Sequence, residues 1–283
     1  MPLHVVGLGV AEVAQLDASA LMALESANLV IGSERQLETV TCYQSAGQAT
    51  LVLPKLSVLK EHLNALLQPT TGTEQNVVLL ASGDPLFYGI GRWVARHFPA
   101  AQIEFYPAVS SIQVACHRLG LALQDLQVVS LHGRPLENLL RHLKTGQQLI
   151  ILSDGKSEPK ALAEVCRETG FEQSELTVCE VLGYPHERIR RFSVSELLSE
   201  SAPDFKIDPL HLTYLQVRGR ALYLPQFPGI EDKHFITDRE AGKGMLSKRE
   251  VRLAILSLLQ PGNTDCIWDI GAGCGGGRPQ CYW

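Results

Sequence analysis

Several short glycine- and hydroxyl-bearing stretches hold the residue types that could grip a small ligand. Val6-Gly7-Leu8-Gly9-Val10 follows an apolar run, and its glycines let the backbone turn tightly and approach a bound group with no Cβ in between. The spacing is not the dinucleotide fingerprint, because Glu12 stands where the third glycine of G-x-G-x-x-G belongs. That speaks against a nicotinamide oxidoreductase and leaves a plain turn and a ligand loop both open. Ser82-Gly83-Asp84-Pro85 ends the most hydrophobic run, so in an α/β sheet it would lie where ligands gather, beyond a strand's carboxyl end. Asp84 could there offer its carboxylate to an ammonium group, or cap a helix starting at Pro85. Tyr106-Pro107-Ala108-Val109-Ser110-Ser111-Ile112 is a second strand-to-helix junction, with Ser110 or Ser111 suited to an N-cap. In Leu131-His132-Gly133-Arg134-Pro135, Arg134 could fork onto a carboxylate or simply be solvated.

The segments around these stretches must supply the strands and helices that aim them. Leu3–Val6, a helix over about Asp17–Ala27, and Leu29–Ile31 alternate as in α/β layering, and further strands are expected at Val77–Ala81 and Ile103–Tyr106. A second set reads as strands at Val128–Leu131, Leu149–Leu152 and Leu176–Val181, with helices over Leu136–Leu143 and Pro159–Thr169. Arg188–Val194 and His211–Val217 alternate apolar and polar residues, the pattern of antiparallel strands with one wet face. This places a lobe boundary at about residues 107–125 and a cleft between the lobes. Residues 218–234, rich in Pro and Gly and without period, read as a linker. Beyond it Ser247 and Glu250 form a capping box for a helix carrying Val251, Leu253, Ala254, Ile255, Leu258 and Leu259, stopped by Pro261-Gly262. A strand over Cys266–Ile270 then runs into Gly271-Ala272-Gly273.

Bulk composition narrows the classes. With 25 Lys and Arg against 30 Asp and Glu the net charge is -5, which gives no broad footprint for nucleic acid or an anionic membrane, so an anionic substrate must be met by local cations. No apolar run approaches the roughly 20 residues that cross a bilayer. The amino terminus reads directly as a strand rather than a signal peptide, which implies a cytoplasmic protein. Cysteines 42, 116, 166, 179, 266, 274 and 281 form no C-x-x-C pair, so neither a disulfide framework nor a metal site is expected, and each reads as a small buried hydrophobe.

Taken in order, Val-Gly-Leu-Gly, Ser-Gly-Asp-Pro-Leu-Phe-Tyr-Gly, Tyr-Pro-Ala-Val-Ser-Ser, Ser-Leu-His-Gly-Arg-Pro and the run Glu180 to Ile189 resemble the tetrapyrrole (corrin/porphyrin) methylase family over about residues 2–220, nearest the branch that methylates C5 of a precorrin ring. The resemblance implies two α/β lobes holding S-adenosyl-L-methionine folded in the cleft between them, usually in a homodimer, with a precorrin as methyl acceptor in cobalamin biosynthesis. It assigns the methionine part of the cofactor to Gly83, Asp84 and Pro85 with Phe87, and its pocket lining to Val10, Ser110, Ser111 and, from the second lobe, Leu152. Substrate contacts are expected at Gly7 and Gly9, with Arg134, Lys156 and Arg188 clamping carboxylates. No nucleophilic side chain is nominated, because a sulfonium methyl is already activated and needs only an electron-rich carbon held about 3 Å away, shielded from water.

The tail adds to the resemblance. Phe235-Ile236-Thr237-Asp238, Met245 to Arg252 and Ile267 to Gly276 look like the opening of the C15-methylating, decarboxylating unit that is fused to the C5 unit in bifunctional relatives. The expected organisation is therefore a methylase unit over 1–217 with lobes of about 1–110 and 120–217, a linker over 218–234, and over 235–283 the N-terminal fragment of a Rossmann-type methyltransferase domain. Pro279 stands where the next helix should run, so the second unit is expected to be truncated, with Gly271 and Gly273 a site remnant and the C15 chemistry missing.

Overall fold

A computed structural model describes residues 2–67, 76–199, 206–221, 229–235, 246–260, 265, 266, 268 and 270. The first lobe is built from β1 (Leu3–Gly7), α1 (Ala18–Glu25), β2 (Leu29–Gly32), α2 (Glu34–Thr39), β3 (Ala49–Val52), α3 (Leu56–Leu67), β4 (Val77–Ala81), α4 (Gly91–His97) and β5 (Ile103–Tyr106). Its sheet is parallel in the order β3-β2-β4-β1-β5. Both β1 and β4 are buried along their whole length, as a parallel sheet covered on two faces requires. Since β4 inserts between β1 and β2, the chain changes direction beside β1. The crevice at such a switch point is where an open α/β sheet takes its ligand.

Local signals start the helices. Asp17 is the N-cap of α1 and accepts the Ala20 amide at 2.7 Å. Ser110 and Gln113 form a reciprocal capping box for α5 (Ser111–Leu119), which ends at Gly120 in the left-handed region. Pro85, by contrast, starts no helix: Asp84 accepts the amides of Leu86 and Phe87 in a tight turn, Tyr88 adopts φ 60, and α4 begins only at Gly91, whose amide donates to the Pro85 carbonyl.

The second lobe contains β6 (Gln127–Ser130), β7 (Gln148–Leu152), α6 (Pro159–Glu168), β8 (Glu175–Glu180), β9 (Arg188–Ser193), α7 (Val194–Leu198) and β10 (His211–Gln216). The sheet order is β6-β7-β10-β8-β9; β6 and β7 are parallel and the other pairs antiparallel, as the alternating pattern anticipates. Leu136–His142 forms a 3-10 helix rather than an α-helix, and the Asn138–Arg141 side-chain contact at i, i+3 suits that tighter winding. One sheet face packs on α6 and α7 through Ile151, Leu162, Val178, Leu197 and Leu215. The other packs on α5, with Ile112, Ala115 and Cys116 against Ile150, Cys179 and Leu212. The helix inside the expected boundary thus belongs to the second lobe by packing, and because Val10 and Phe87 rest on the same cluster, the two lobes share a core.

At the carboxyl side, α8 (Arg249–Leu259) does not begin at the expected capping box. Its N-cap is Lys248, with no side-chain cap bond, because the Arg252 guanidinium takes the carbonyls of Ser247 and Ile230 and the Asp232 carboxylate, holding Ser247 outside the helix. Ile230, Phe235 and Leu246 form a small buried cluster, and Arg252 lies over the Phe235 ring at 4.6 Å, so this part of the expected linker packs on α8. Cys266, Trp268 and Ile270 carry no strand, while Ile267, Asp269, residues 222–228, 236–245 and 261–264, and everything from Gly271 onward lie outside the described residues. Among the described residues no helix is long and apolar enough to cross a membrane.

Candidate functional site

Two left-handed glycines open the site. The loops after β1 and β4 are joined by a bridge between Gly9 (φ +68) and Gly83 (φ +62), with the Gly83 amide donating to the Gly9 carbonyl at 3.1 Å. Gly7 stands behind them, where a Cβ would meet the Gly83 carbonyl at 2.7 Å and Pro85 Cδ at 2.9 Å, so it is a packing glycine and not a wall. Together these loops form one side of a cleft of about 920 Å³ of open space between the lobes.

Of the residues expected to hold a cofactor, Val10, Gly83, Phe87, Ser110, Ser111 and Leu152 come together on the cleft walls, and Gly9 joins them. Asp84 and Pro85 do not line it. The Asp84 carboxylate faces backbone donors, accepting the amides of Leu86 at 2.8 Å, Phe87 at 3.0 Å and Ala108 at 3.4 Å, and so shapes the loop that presents Phe87. Ser110 is nearly sealed, its hydroxyl engaged by the Gln113 amide and side chain.

The opposite wall comes from the second lobe. There Val181 (φ 50) and Gly183 (φ +77) adopt left-handed backbone, and a Cβ on Gly183 would be driven into the Val10 carbonyl. The turn is pinned by Glu187, which accepts the Gly183 amide at 2.7 Å and pairs with Arg118 of α5 at 2.6 and 3.2 Å. Hydrogen bonds from Arg118 hold the Glu187 carboxyl below its ordinary range against the upward pull of burial. Leu182, Leu212 and Cys179 complete an apolar floor, where burial, aided by the nearby Glu187, pushes the Cys179 thiol up to about 12. Such a thiol is neutral and is no nucleophile at physiological pH.

Arg134, Lys156 and Arg188 are absent from these walls. Arg188 is committed to Glu180, a carboxylate with no exposed surface that it meets at 2.6 Å, and Glu180 also accepts from Arg190 at 2.8 Å and from the Asp208 amide at 3.0 Å. Burial works to raise the Glu180 carboxyl, but these donors outweigh it and the group is held below its usual range. Lys156 lies in the exposed loop after β7, organised by Asp154, which accepts the amides of Gly133, Lys156 and Ser157 and is thereby drawn down to about 2. Arg134, on the loop that Asp154 ties down through Gly133, donates to the Ser130 carbonyl at 3.2 Å and faces a second groove.

The motif reading passed over several wall residues. Arg35 and Gln36 of α2 reach the Ser82 hydroxyl at 3.3 and 3.0 Å and put a cation at the cleft mouth; no sequence signal connects α2 to β4. Tyr88 carried a signal, a bulky residue inside a glycine-flanked loop. Half exposed, it bridges the lobes by donating its hydroxyl hydrogen to the Val128 carbonyl at 3.2 Å.

Residues 2–198 match the family model described as Tetrapyrrole (Corrin/Porphyrin) Methylases. A precorrin-6Y C(5,15)-methyltransferase [decarboxylating] of a Sinorhizobium species is 36% identical over 275 residues, 96% of this chain and 62% of the relative. The chain thus spans less than two thirds of that protein's length. A cobalt-precorrin-7 C(5)-methyltransferase of Salmonella typhimurium is 29% identical over 195 residues, 68% of this chain and 91% of the relative. Among solved structures, a uroporphyrin-III C-methyltransferase from Thermus thermophilus, complexed with S-adenosylhomocysteine, superposes with a TM-score of 0.56 at 19% identity, covering 76% of this chain and 97% of that one. At that identity the likeness speaks to fold alone.

Proposed function

This chain belongs to the tetrapyrrole (corrin/porphyrin) methylase family, and from that premise we propose that it methylates C5 of a precorrin ring with S-adenosyl-L-methionine as donor. The observation that carries the reading is the joined pair of left-handed glycine loops facing an apolar second-lobe wall. The cleft lies beyond the carboxyl ends of the first-lobe strands, where an open α/β sheet takes its ligand. Its chemistry also fits the donor: Leu152, Leu182 and Leu212 suit a purine face, the Gly83 and Phe87 loop suits the methionine part, and Arg35 offers a cation to a carboxylate.

When bound, the donor supplies an activated methyl on a sulfonium. What the chain contributes is placement and dryness. The loops set the donor's orientation, the apolar walls exclude water, and the protonated Cys179 offers no competing nucleophile. In the transfer the ring carbon would supply the electron pair of the new carbon–carbon bond, the sulfur would leave as a neutral thioether, and the ring would then release its proton to solvent. C5 is favoured over other positions by the Salmonella relative, whose length this chain nearly covers.

Residues 1–217 form the methylase unit in this reading, and 235–283 belong to the opening of a second, C15-type unit, supported by the match to the bifunctional Sinorhizobium protein over 96% of this chain. A homodimer and a cytoplasmic location are part of the reading on family resemblance.

Isothermal titration with S-adenosylhomocysteine, followed by transfer of a carbon-13-labelled methyl to a precorrin acceptor, tests the proposal. One cofactor per chain and a new methyl resonance at C5 are expected. Absence of cofactor binding overturns it, and a methyl at another carbon reassigns the position.

A further inference from the structure

The second groove carries two arginines, Arg134 and Arg141, where the cleft carries Arg35. It holds about 520 Å³ of open space along the outer edge of β6, the edge strand of the second sheet, and Tyr88, Ser130, Arg134, Asn138, Arg141 and His142 face it. Two carbonyls on that edge are already satisfied, Val128 by the Tyr88 hydroxyl and Ser130 by Arg134. Within a strand a residue's N–H points to the same side as its C=O, so the amides of Val128 and Ser130 face the groove as donors. The groove therefore presents donors with its acceptors taken.

Its charges point the same way. Neither Arg134 nor Arg141 makes an ion pair among the described residues; Arg141 spends one nitrogen on Asn138 at 3.1 Å, and Arg134 one on Ser130. The acid of the same 3-10 turn, Glu137, is not on the groove wall. Burial first, then Arg141 and Lys144, lowers the pKa of His142, as cations crowded without an anion among them would do. Tyr88 is a wall of both this groove and the cofactor cleft, so a ligand seated here lies next to the reacting centre.

We propose that this groove is a carboxylate subsite, in which Arg134 and Arg141 fork onto peripheral acid side chains of a polycarboxylate macrocycle whose ring lies past Tyr88 toward the cleft. A guanidinium matches a carboxylate with two parallel hydrogen bonds, and the fixed β6 edge supplies backbone donors beside it. This inference rests on the methyltransferase reading and adds to it the place and the charge by which the acceptor is oriented.

The test titrates the full chain with cobyrinic acid, a corrin polycarboxylate, and with cobinamide, in which the peripheral acids are amides, while S-adenosylhomocysteine is titrated in parallel. Cobyrinic acid should bind more tightly than cobinamide. Arg134→Ala and Arg141→Ala should each weaken cobyrinic acid by about tenfold, the scale of one lost charge-assisted contact, and Arg141→Glu should weaken it further. Both arginines are exposed, so the variants should keep the wild-type melting temperature and cofactor affinity. Unchanged cobyrinic acid affinity in the variants, equal binding of acid and amide, or no binding of the acid to wild type overturns the subsite while leaving the cofactor reading intact. Failure of the wild type to bind S-adenosylhomocysteine strikes the methyltransferase reading itself.

Discussion

The two walls of the cleft between the lobes solve one structural problem by different means. Each is a strand-end turn holding a non-glycine residue at positive φ, Tyr88 in the first lobe and Val181 in the second, with a left-handed glycine close by. The Gly83–Tyr88 wall is held mainly by its own lobe, since Asp84 caps the amides two and three residues ahead of it and Gly83 bridges to Gly9, while the Tyr88 hydroxyl reaches across to the second lobe. The Val181–Glu187 wall is held from outside, by an arginine 69 residues away and by the Val10 carbonyl against which Gly183 closes. A loop with its own cap can form before the lobes meet. The second wall acquires its shape only when α5 and the first lobe are in place.

Breaking that contrast should be most damaging at Gly183. An alanine there needs both a disfavoured φ and a Cβ where the Val10 carbonyl stands. We expect Gly183→Ala to destabilise the protein by about 3 kcal/mol or more, as strained backbone combined with overpacking does, and to abolish S-adenosylhomocysteine binding in titration. Near-normal melting would show that the lobes have room to separate.

A smaller effect is expected at Asp84, because only the local turn loses its cap. Asp84→Ala should cost about 1 kcal/mol, the usual worth of a capping side chain, and weaken cofactor binding severalfold, whereas Asp84→Asn, which keeps an acceptor, should restore most of both. Equal losses in the two variants would point to the charge rather than the cap.

The mildest is Glu187→Gln. Arg118 is 48% exposed, so solvent screening keeps the pair's contribution small at neutral pH. Because the Glu187 carboxyl is held below its ordinary value of 4.5 in the folded protein, its contribution is present above that value and is lost as pH falls through the depressed folded one. Urea unfolding of wild type and variant at pH 7 and at pH 3 should show the difference shrinking at the lower pH; a constant difference assigns the effect to the Gly183 amide contact instead.

The same contrast explains what could be read from the residues alone. The buried parallel strands announce themselves as apolar runs, and the Ser110 cap and the glycine loops are local devices, so their positions follow from the chain. β3 escaped because it is a four-residue, mostly exposed edge strand whose apolar stretch, Leu51-Val52-Leu53, is too short to stand out. The second wall could be recognised only as a string of residues, since its geometry rests on Arg118. Arg188 looked like a free cation because nothing nearby in the sequence reveals that Glu180 is fully buried and claims it. The start of α8 moved by one residue for the same kind of reason: Arg252 is 3% exposed and pulls on carbonyls that a capping-box pattern cannot see.

The raised pKa of the Cys179 thiol has a consequence for self-damage. A methyl donor in this cleft would sit near a sulfur atom, and sulfur is the softer target. With the thiol near 12, on the order of one molecule in ten thousand carries a thiolate at pH 8. The protein would thus be protected from alkylating itself by the proton on its own sulfur, a safeguard that holds while the site stays dry and that an added cation beside Cys179 would weaken.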